Sequence, residues 1–325
     1  MNIKQIKEAA KRLRGRTFST PLMSSTVLNE LAGRRILVKP ECLQHTGSFK
    51  YRGAFSAISK LPKSTLANGI VAYSSGNHAQ AIALAAQQHN CSSVIVMPDD
   101  APKVKINRTR RLGSEIKLYD RAKQSRENIA FQLADERGLT IIKPYDDPMV
   151  IAGQGTIGLE IASEAESHGI KNADVLICCG GGGLTSGIAL ALEANAPGLR
   201  ARTCEPEGFD DTARSLAKGK ICHNEKLLEG VCDAIMAPSP GKLTFPIMQR
   251  LCGPGLVVSE NQALHAMVAA FHHLKLVLEP SGAVALAAAL FHKQTSISDP
   301  AIVVLSGGNV DPSMFAKALA IDRNF

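Results

Sequence analysis

Residues 174–184 read Asp-Val-Leu-Ile-Cys-Cys-Gly-Gly-Gly-Gly-Leu, an apolar run that leads directly into four consecutive glycines. The apolar run predicts a buried strand, and the small residues that follow Leu184 predict a helix. Glycines between a strand and a helix let successive backbone N–H groups turn toward one anion without obstruction by a Cβ atom. The N-terminus of the helix adds a partial positive charge. This stretch therefore predicts an α/β fold with a phosphate-binding loop, and a tight turn without a ligand is the alternative.

The alternation of strand and helix extends over most of the chain. Short β-branched runs alternate with alanine-rich segments of helical period, which is typical of parallel βαβ units buried on both faces. The predicted strands are 35–39, 70–73, 93–97, 115–119, 140–142, 174–179, 200–204 and 301–305. The predicted helices are 77–88, 102–112, 125–137, 155–167, 184–194, 242–251, 261–274 and 281–291. We predict an α/β protein with two doubly wound lobes and mostly parallel sheets, a small lobe at 62–146 and a large lobe at 1–61 and 147–325.

Composition limits the class of protein. The chain has 325 residues, of which 45% are hydrophobic and 20% charged, and this excludes disorder and a coiled coil. The formal charge is +8, but the chain has no Trp and its densest basic cluster, at 103–111, has the spacing of a solvated helix face. We therefore expect no nucleic-acid partner. The chain has no long uncharged apolar stretch, so we expect no membrane partner. Its N-terminal segment is charged, so we expect a cytoplasmic location, and we expect the eight cysteines to be reduced.

A second stretch, TGSFKYRGA at 46–54, places a lysine between two aromatic residues near the start of a helical segment. A partly apolar, positive setting lowers the pKa of an amine, and this suits Schiff-base chemistry. Taken alone, a solvated surface charge is the more common interpretation of Lys50.

Five separated motifs together carry a family resemblance. They are TGSFKYRGA at 46–54, SSGNHAQA at 74–81, GGGGL at 180–184, EPSGA at 279–283 and SGGN at 306–309. Their order and spacing resemble those of fold-type II pyridoxal-phosphate enzymes, and specifically the serine/threonine dehydratase and serine racemase family, over nearly the whole chain. The resemblance implies a tryptophan synthase β-like fold, pyridoxal 5′-phosphate as cofactor, a small hydroxy amino acid as substrate, and a homodimer.

The resemblance also implies roles for individual residues. Lys50 would hold the cofactor as a Schiff base, Phe49 would pack beside its ring, and Asn77 would hydrogen-bond its 3′-oxygen. Ser306 would meet the pyridine nitrogen, and Glu279 would contact the cofactor or a neighbouring backbone amide. The phosphate would be bound by the backbone amides of Gly180, Gly181, Gly182, Gly183 and Leu184. A hydroxyl cannot keep the pyridine nitrogen protonated, which weakens the electron sink and favours β-elimination over transamination.

The implied substrate site lies at the turn before the helix at 77–88. The residues that would bind the substrate carboxylate are Ser74, Ser75, Gly76, Asn77 and His78, and an ordinary N-cap is the alternative. Ser75 matches the acid/base that the racemase places on the cofactor face opposite the lysine, while a carboxylate-binding hydroxyl is an equal alternative. Arg126 matches an arginine near the substrate that could recognise a second carboxylate, as in 3-hydroxyaspartate, and a surface arginine is its alternative.

An acidic turn, EPEGFDD at 205–211, follows a predicted strand. Closely spaced carboxylates with a glycine turn supply oxygen ligands for Mg²⁺, Mn²⁺ or Ca²⁺. In the racemase branch the matching positions bind a divalent metal, through the side chains of Glu205 and Asp211 and the carbonyl of Phe209. A solvated acidic loop that caps a helix is the alternative.

The favoured function is a pyridoxal-phosphate-dependent ammonia-lyase that converts L-serine or L-threonine, with 3-hydroxyaspartate as a further candidate, to a 2-oxo acid and ammonia. The freed amine of Lys50 would remove the Cα proton. Serine racemase with dehydratase side activity is the alternative, and a β-replacement synthase is a more distant one. A non-catalytic binding protein on the same scaffold would not need to retain Lys50.

Overall fold

The computed structural model describes residues 1–101, 103–224 and 230–321. Within these residues the strands are β1 (Ile36–Lys39), β2 (Ile70–Tyr73), β3 (Ser93–Pro98), β4 (Glu115–Tyr119), β5 (Thr140–Ile141), β6 (Ala173–Cys178), β7 (Leu199–Pro206), β8 (Leu256–Val258) and β9 (Ala301–Val304). The helices are α1 (Ile3–Leu13), α2 (Thr26–Ala32), α3 (Lys50–Ile58), α4 (Lys63–Asn68), α5 (Asn77–Gln88), α6 (Lys103–Arg111), α7 (Arg126–Arg137), α8 (Pro148–Ser167), α9 (Gly183–Asn195), α10 (Asp211–Lys218), α11 (Thr244–Leu251), α12 (Glu260–Leu274), α13 (Pro280–Phe291) and α14 (Pro312–Ile321). Pro102, where the sequence predicts the start of α6, lies outside the described residues.

The strands form two parallel sheets. The larger sheet has the order β1-β9-β6-β7-β8 and the smaller one β4-β3-β2-β5, and all the strand pairings are parallel. The predicted α/β fold with mostly parallel sheets is confirmed. The smaller sheet takes its strands from 70–141 and the larger one from the chain before and after it. This arrangement agrees with the small lobe at 62–146, whose boundaries stay a prediction.

The larger sheet is buried on both faces, as its strand composition predicts. Along β6, Leu176 packs on one face with α12 and α13, while Val175 and Ile177 pack on the other face with α8 and α9. This is the period-two alternation of a strand between two helical layers. Among the described residues, no helix combines the length and hydrophobicity that a bilayer crossing requires.

Helix α8 begins seven residues before the predicted start at 155, because its glycines lower the apparent helix propensity. Asp147 caps the helix, since its carboxylate accepts hydrogen bonds from the backbone N–H groups of Met149 and Val150. A Cβ atom at Gly153 would lie 2.3 Å from the carbonyl oxygen of Arg52, so the glycine is needed for close packing of α8 against α3.

A buried ionic network holds α3, the helix that begins with Lys50. The guanidinium of Arg52 donates to both carboxylate oxygens of Glu41 at 2.8 Å, and to Glu160 of α8 at 2.5 Å. Lys39, at the end of β1, pairs with Glu160 at 2.8 Å. Arg52 is only 1% exposed, so removing either partner would leave a buried charge uncompensated. The network therefore fixes the start of α3 relative to β1 and α8.

Candidate active site

A cavity lies at the carboxyl ends of the parallel strands, where the loops that follow β2, β6 and β9 meet the start of α3. This is the usual ligand position in open α/β sheets. The structure brings together at this cavity all the residues for which the sequence predicts cofactor or substrate contacts: Phe49, Lys50, Ser74, Ser75, Gly76, Asn77, His78, Arg126, Gly180, Gly181, Gly182, Gly183, Leu184, Glu279 and Ser306. Their individual roles stay predictions.

Lys50 opens α3 and its amine faces the cavity wall. Its Nζ atom donates a hydrogen bond to the carbonyl oxygen of Pro144 at 2.8 Å and lies 5.1 Å from the centroid of the Phe49 ring. Burial lowers the pKa of Lys50 to about 8, although the charge of Glu279 opposes the shift. An amine with this pKa is readily deprotonated near neutral pH, as a nucleophile or a proton acceptor must be.

The glycine loop between β6 and α9 excludes side chains from one side of the cavity. Gly182 has φ +87°, and a Cβ atom there would lie 2.5 Å from the Cε atom of Met248. A Cβ atom at Gly181 would lie 2.2 Å from the ring of Tyr145. Among the described residues, no side chain caps the first N–H groups of α9. This cradle fits the phosphate of the implied cofactor, because a free helix N-terminus binds anions.

Two titratable side chains near Lys50 are buried. Burial raises the pKa of Glu279 to about 7, although Glu279 accepts a hydrogen bond from the Nδ2 atom of Asn77 at 2.5 Å. Burial, and next the charge of Lys50, lower the pKa of His78 to about 3, so His78 is neutral at physiological pH. Its Nε2 atom lies 3.2 Å from the carbonyl oxygen of Ile142, which requires the proton on that nitrogen.

The Ser74-Ser75-Gly76 turn and Arg126 line the same cavity. The Oγ atom of Ser74 accepts a hydrogen bond from the backbone N–H of Gly76 at 3.3 Å. Arg126 is the first residue of α7, and its guanidinium lies 5.5 Å from the centroid of the Tyr73 ring. Its Nε atom donates to Glu127 at 2.9 Å, and within the described part of the chain its other N–H groups have no hydrogen-bond partner and could bind a ligand.

Sequence reasoning missed several residues that line the cavity. Pro144 and Tyr145 follow β5, and their position at a strand end is the one signal that could have identified them. Lys105 of α6 and Asp233 form a salt bridge of 3.2 Å at the cavity edge. No sequence motif marks that pair, since the two residues meet only through the tertiary fold.

Two carboxyl groups of the acidic turn are buried, since Glu205 at the end of β7 is 0% exposed and Asp211 at the start of α10 is 1% exposed, while Glu207 is exposed. In the alternative of an acidic loop that caps a helix, solvation is therefore wrong for Glu205 and Asp211, but the helix cap is present. The carboxylate of Glu205 accepts from the backbone N–H groups of Thr212 and Ala213, and therefore caps α10. Burial raises the pKa of both carboxyl groups.

Asp211 Oδ2 has no hydrogen-bond partner among the described residues, and an unpaired buried carboxylate oxygen fits a cation. Within the same residues, no group of three or more His, Cys, Asp or Glu side chains could hold a metal.

Comparisons with known proteins agree with the fold and the cavity. The family described as "Pyridoxal-phosphate dependent enzyme" matches residues 13–308. A serine racemase from Dictyostelium discoideum is 38% identical over 98% of this chain and 98% of its own length. An L-threo-3-hydroxyaspartate ammonia-lyase from Saccharomyces cerevisiae is 38% identical over 96% of this chain and 94% of its own. The crystal structure of a threonine deaminase from T.th. superposes with a TM-score of 0.89 at 40% identity, covering 96% of this chain and 99% of that one.

These matches span both sheets, the Lys50 turn and the glycine loop, which are the parts of the chain that form the cavity. The sequence resemblance to fold-type II enzymes is thereby confirmed, and this chain belongs to the family of pyridoxal-phosphate dependent enzymes.

Proposed function

We propose that the protein is an ammonia-lyase that converts L-serine and L-threonine to 2-oxo acids and ammonia by β-elimination, with 3-hydroxyaspartate as a further substrate. The observation that carries the proposal is that Lys50 and the glycine loop line the same cavity. The lowered pKa of the Lys50 amine, about 8, supports it. The similar proteins named threonine deaminase and L-threo-3-hydroxyaspartate ammonia-lyase support this reaction class.

In this proposal five features of the chain hold pyridoxal phosphate. The backbone amides of Gly180–Leu184 bind the phosphate, Lys50 holds the cofactor covalently, and Phe49 packs beside the ring. Asn77 donates to the ring oxygen, and the hydroxyl of Ser306 meets the pyridine nitrogen. When bound, the cofactor supplies the electron sink that acidifies the Cα–H bond of an amino acid.

The chain's own groups then orient the substrate and move protons. The substrate carboxylate binds at the Ser74–His78 turn, where backbone N–H groups open α5. Lys50, once its amine is free, takes the proton from Cα, and a general acid protonates the β-hydroxyl so that it leaves Cβ as water. Lys50 later releases its proton to complete the cycle. A pKa near 8 suits both steps, because removing the proton at about pH 7 costs only about 1.4 kcal/mol.

Arg126 gives the site a second anion-binding group. Its guanidinium lines the same cavity as Lys50 and the Ser74–His78 turn. A dicarboxylic substrate such as 3-hydroxyaspartate would place its second carboxylate against this guanidinium, and serine or threonine would leave it unused.

Racemisation of serine is the second candidate function. It needs an acid/base on each face of the substrate carbon, and Ser75 lines the same cavity as Lys50. Relatives named serine racemase support it. In the Ser75→Ala variant, formation of D-serine should fall much further than release of 2-oxo acid. Parallel loss of both products would reject the two-base idea.

We further propose a divalent cation, Mg²⁺, Mn²⁺ or Ca²⁺, held by the side chains of Glu205 and Asp211 and the carbonyl of Phe209. The unpaired Oδ2 atom of Asp211 supports this assignment. Glu205, Phe209 and Asp211 are not among the described residues that line the cavity, which favours a structural or activating role over a chemical one. We also propose that the protein is a homodimer and is located in the cytoplasm.

A substrate panel tests the proposed function. The purified holoenzyme would be assayed with L-serine, D-serine, L-threonine and both diastereomers of 3-hydroxyaspartate, with 2-oxo acid and enantiomer measured together. We expect 2-oxo acid from L-serine or L-threonine, and none from the Lys50→Ala variant. Enantiomer exchange without 2-oxo acid would assign the protein to the racemases, and 2-oxo acid from the Lys50→Ala variant would reject the role of that lysine.

A further inference from the structure

Four polar groups from four separate segments form a continuous hydrogen-bonded chain at the cavity. The Nδ2 atom of Asn309 donates to the carbonyl oxygen of Thr46 at 2.7 Å and to the Oδ1 atom of Asn77 at 2.7 Å. The Nδ2 atom of Asn77 in turn donates to Glu279 Oε1 at 2.5 Å. Asn77 is 8% exposed and Glu279 is 5% exposed, so water competes little for these bonds.

The chemistry of the two ends fixes the orientation of both amides. The backbone carbonyl of Thr46 can only accept, so Asn309 must present its NH₂ group there. The second hydrogen of that NH₂ group requires an acceptor on Asn77, which is its Oδ1 atom. The NH₂ group of Asn77 is therefore directed to Glu279, whose carboxylate accepts. Turning either amide over would bring two acceptors or two donors face to face.

Close packing of glycines leaves space for this chain and keeps it in place. A Cβ atom at Gly47 would lie 2.8 Å from Asn309 Oδ1, and one at Gly307 would lie 2.1 Å from Glu279 Oε1. The backbones of the same segments are also joined, since the N–H of Gly308 donates to the carbonyl of Gly47 at 2.9 Å. Gly47 and Gly307 are thus explained by the room that the side-chain network occupies.

We propose that Asn309 and Glu279 are positioning residues that orient the amide of Asn77 so that its remaining N–H, and not its carbonyl, faces the cofactor ring oxygen. Asn77 has two N–H bonds and gives one to Glu279, which leaves one for the cavity that Asn77 lines. This inference rests on the proposed position of the cofactor. It adds the reason why Asn77 is the donor, and not the acceptor, in the hydrogen bond to the ring oxygen.

The two absorbance bands of the lysine-bound cofactor report on this contact. A donated N–H stabilises the ionised ring oxygen and hence the visible band, whereas a carbonyl in its place favours the protonated oxygen and the near-ultraviolet band. The Asn309→Asp variant keeps the size of the side chain but exchanges the NH₂ donor for an acceptor. We expect the ratio of visible to near-ultraviolet absorbance to fall by roughly 2- to 10-fold, the range that one hydrogen bond supplies.

A double-variant comparison separates positioning from general damage. In the Asn77→Ala background, Asn309→Asp should leave the band ratio unchanged, because the residue through which it acts is gone. An unaltered ratio in the single variant, or an equal fall in both backgrounds, would overturn the proposal.

A second pair of variants keeps the test decisive if Asn309→Asp does not bind the cofactor. Glu279→Gln retains an acceptor and should keep the ratio within about twofold of the wild-type value, while Glu279→Met removes the acceptor and should lower it. Equal ratios in these two variants would also overturn the proposal. A wild-type protein that shows no visible band with added cofactor would instead reject the proposed attachment to Lys50.

Discussion

Replacing Lys50 with methionine is expected to stabilise the cofactor-free protein while abolishing its activity. Methionine is similar in length to lysine but carries no amine. Burial lowers the pKa of the Lys50 amine from 10.5 to about 8 in the folded chain, so the folded state disfavours the charged form that the unfolded chain retains. The wild-type protein therefore loses folding free energy to keep an amine at the cavity.

The size of the effect follows from that difference in pKa. A difference of about 2.5 between the folded and unfolded pKa corresponds to about 3 kcal/mol. The hydrogen bond to Pro144, which methionine loses, offsets about 1 kcal/mol. The Lys50 residue as a whole is only half-buried and lines the cavity, so screening of its charge by solvent reduces the effect. We expect a net gain of about 1 kcal/mol in the free energy of unfolding at about pH 7.

The sign of the pH dependence gives a sharper check. The unfavourable term is fully present below about pH 8, where both states are charged, and is lost as the pH rises from about 8 to 10.5. Urea denaturation of the cofactor-free proteins at pH 7 and pH 10.5 should therefore show a stabilisation by Lys50→Met that shrinks at the higher pH. Lys60→Met, at an exposed position, is the matched control and should change stability by less than about 0.5 kcal/mol at both pH values. A destabilised Lys50→Met variant at pH 7, or a gain independent of pH, would refute the reasoning.

Three other perturbations follow from the geometry. Gly282→Ala would place a Cβ atom 2.2 Å from the carbonyl oxygen of Gly307, so we expect at least about 2 kcal/mol lower unfolding free energy in urea. A near-neutral variant would show that α13 and the loop at Gly307 can separate. Arg126→Met should raise the KM for 3-hydroxyaspartate by about tenfold or more, since one charged hydrogen-bonded contact contributes about 1.5 to 3 kcal/mol. The KM for L-serine should rise by less than about threefold. Equal changes in the two KM values would contradict a second-carboxylate site. Removing divalent cations with EDTA should lower the Tm of the wild-type protein by several degrees and leave Asp211→Asn unchanged, and equal responses would place the cation elsewhere.

Much of the fold could be predicted from the sequence pattern. Parallel strands buried on both faces are short β-branched runs, and here they alternate with alanine-rich segments of helical period. The predicted bounds of β2, β4 and α5 coincide with those of the structure. Strand β8 was missed because only three residues pair, at the sheet edge, and so few residues show no period. Helices α1 and α14 were missed too, although their amphipathic or apolar runs were present in the sequence.

The candidate site was predictable where glycine or lysine chemistry leaves a local motif. The glycine loop and the Lys50 turn each have a pattern with a physical reason, and the structure places both at one cavity. The chain that links Asn309 to Glu279 was not predictable, since its members meet only when loops from distant segments pack together. The burial of Glu205 was not predictable either, because a sequence pattern of carboxylates and glycine is equally compatible with a solvated turn.

The most direct test of the account is the identity of the lysine that carries the cofactor. The holoenzyme would be reduced with borohydride, digested, and the modified peptide sequenced by mass spectrometry. The account predicts a pyridoxyl group on Lys50, in one stoichiometric equivalent. A group on another lysine, or a reduced protein with Lys50 unmodified and its activity intact, would contradict it.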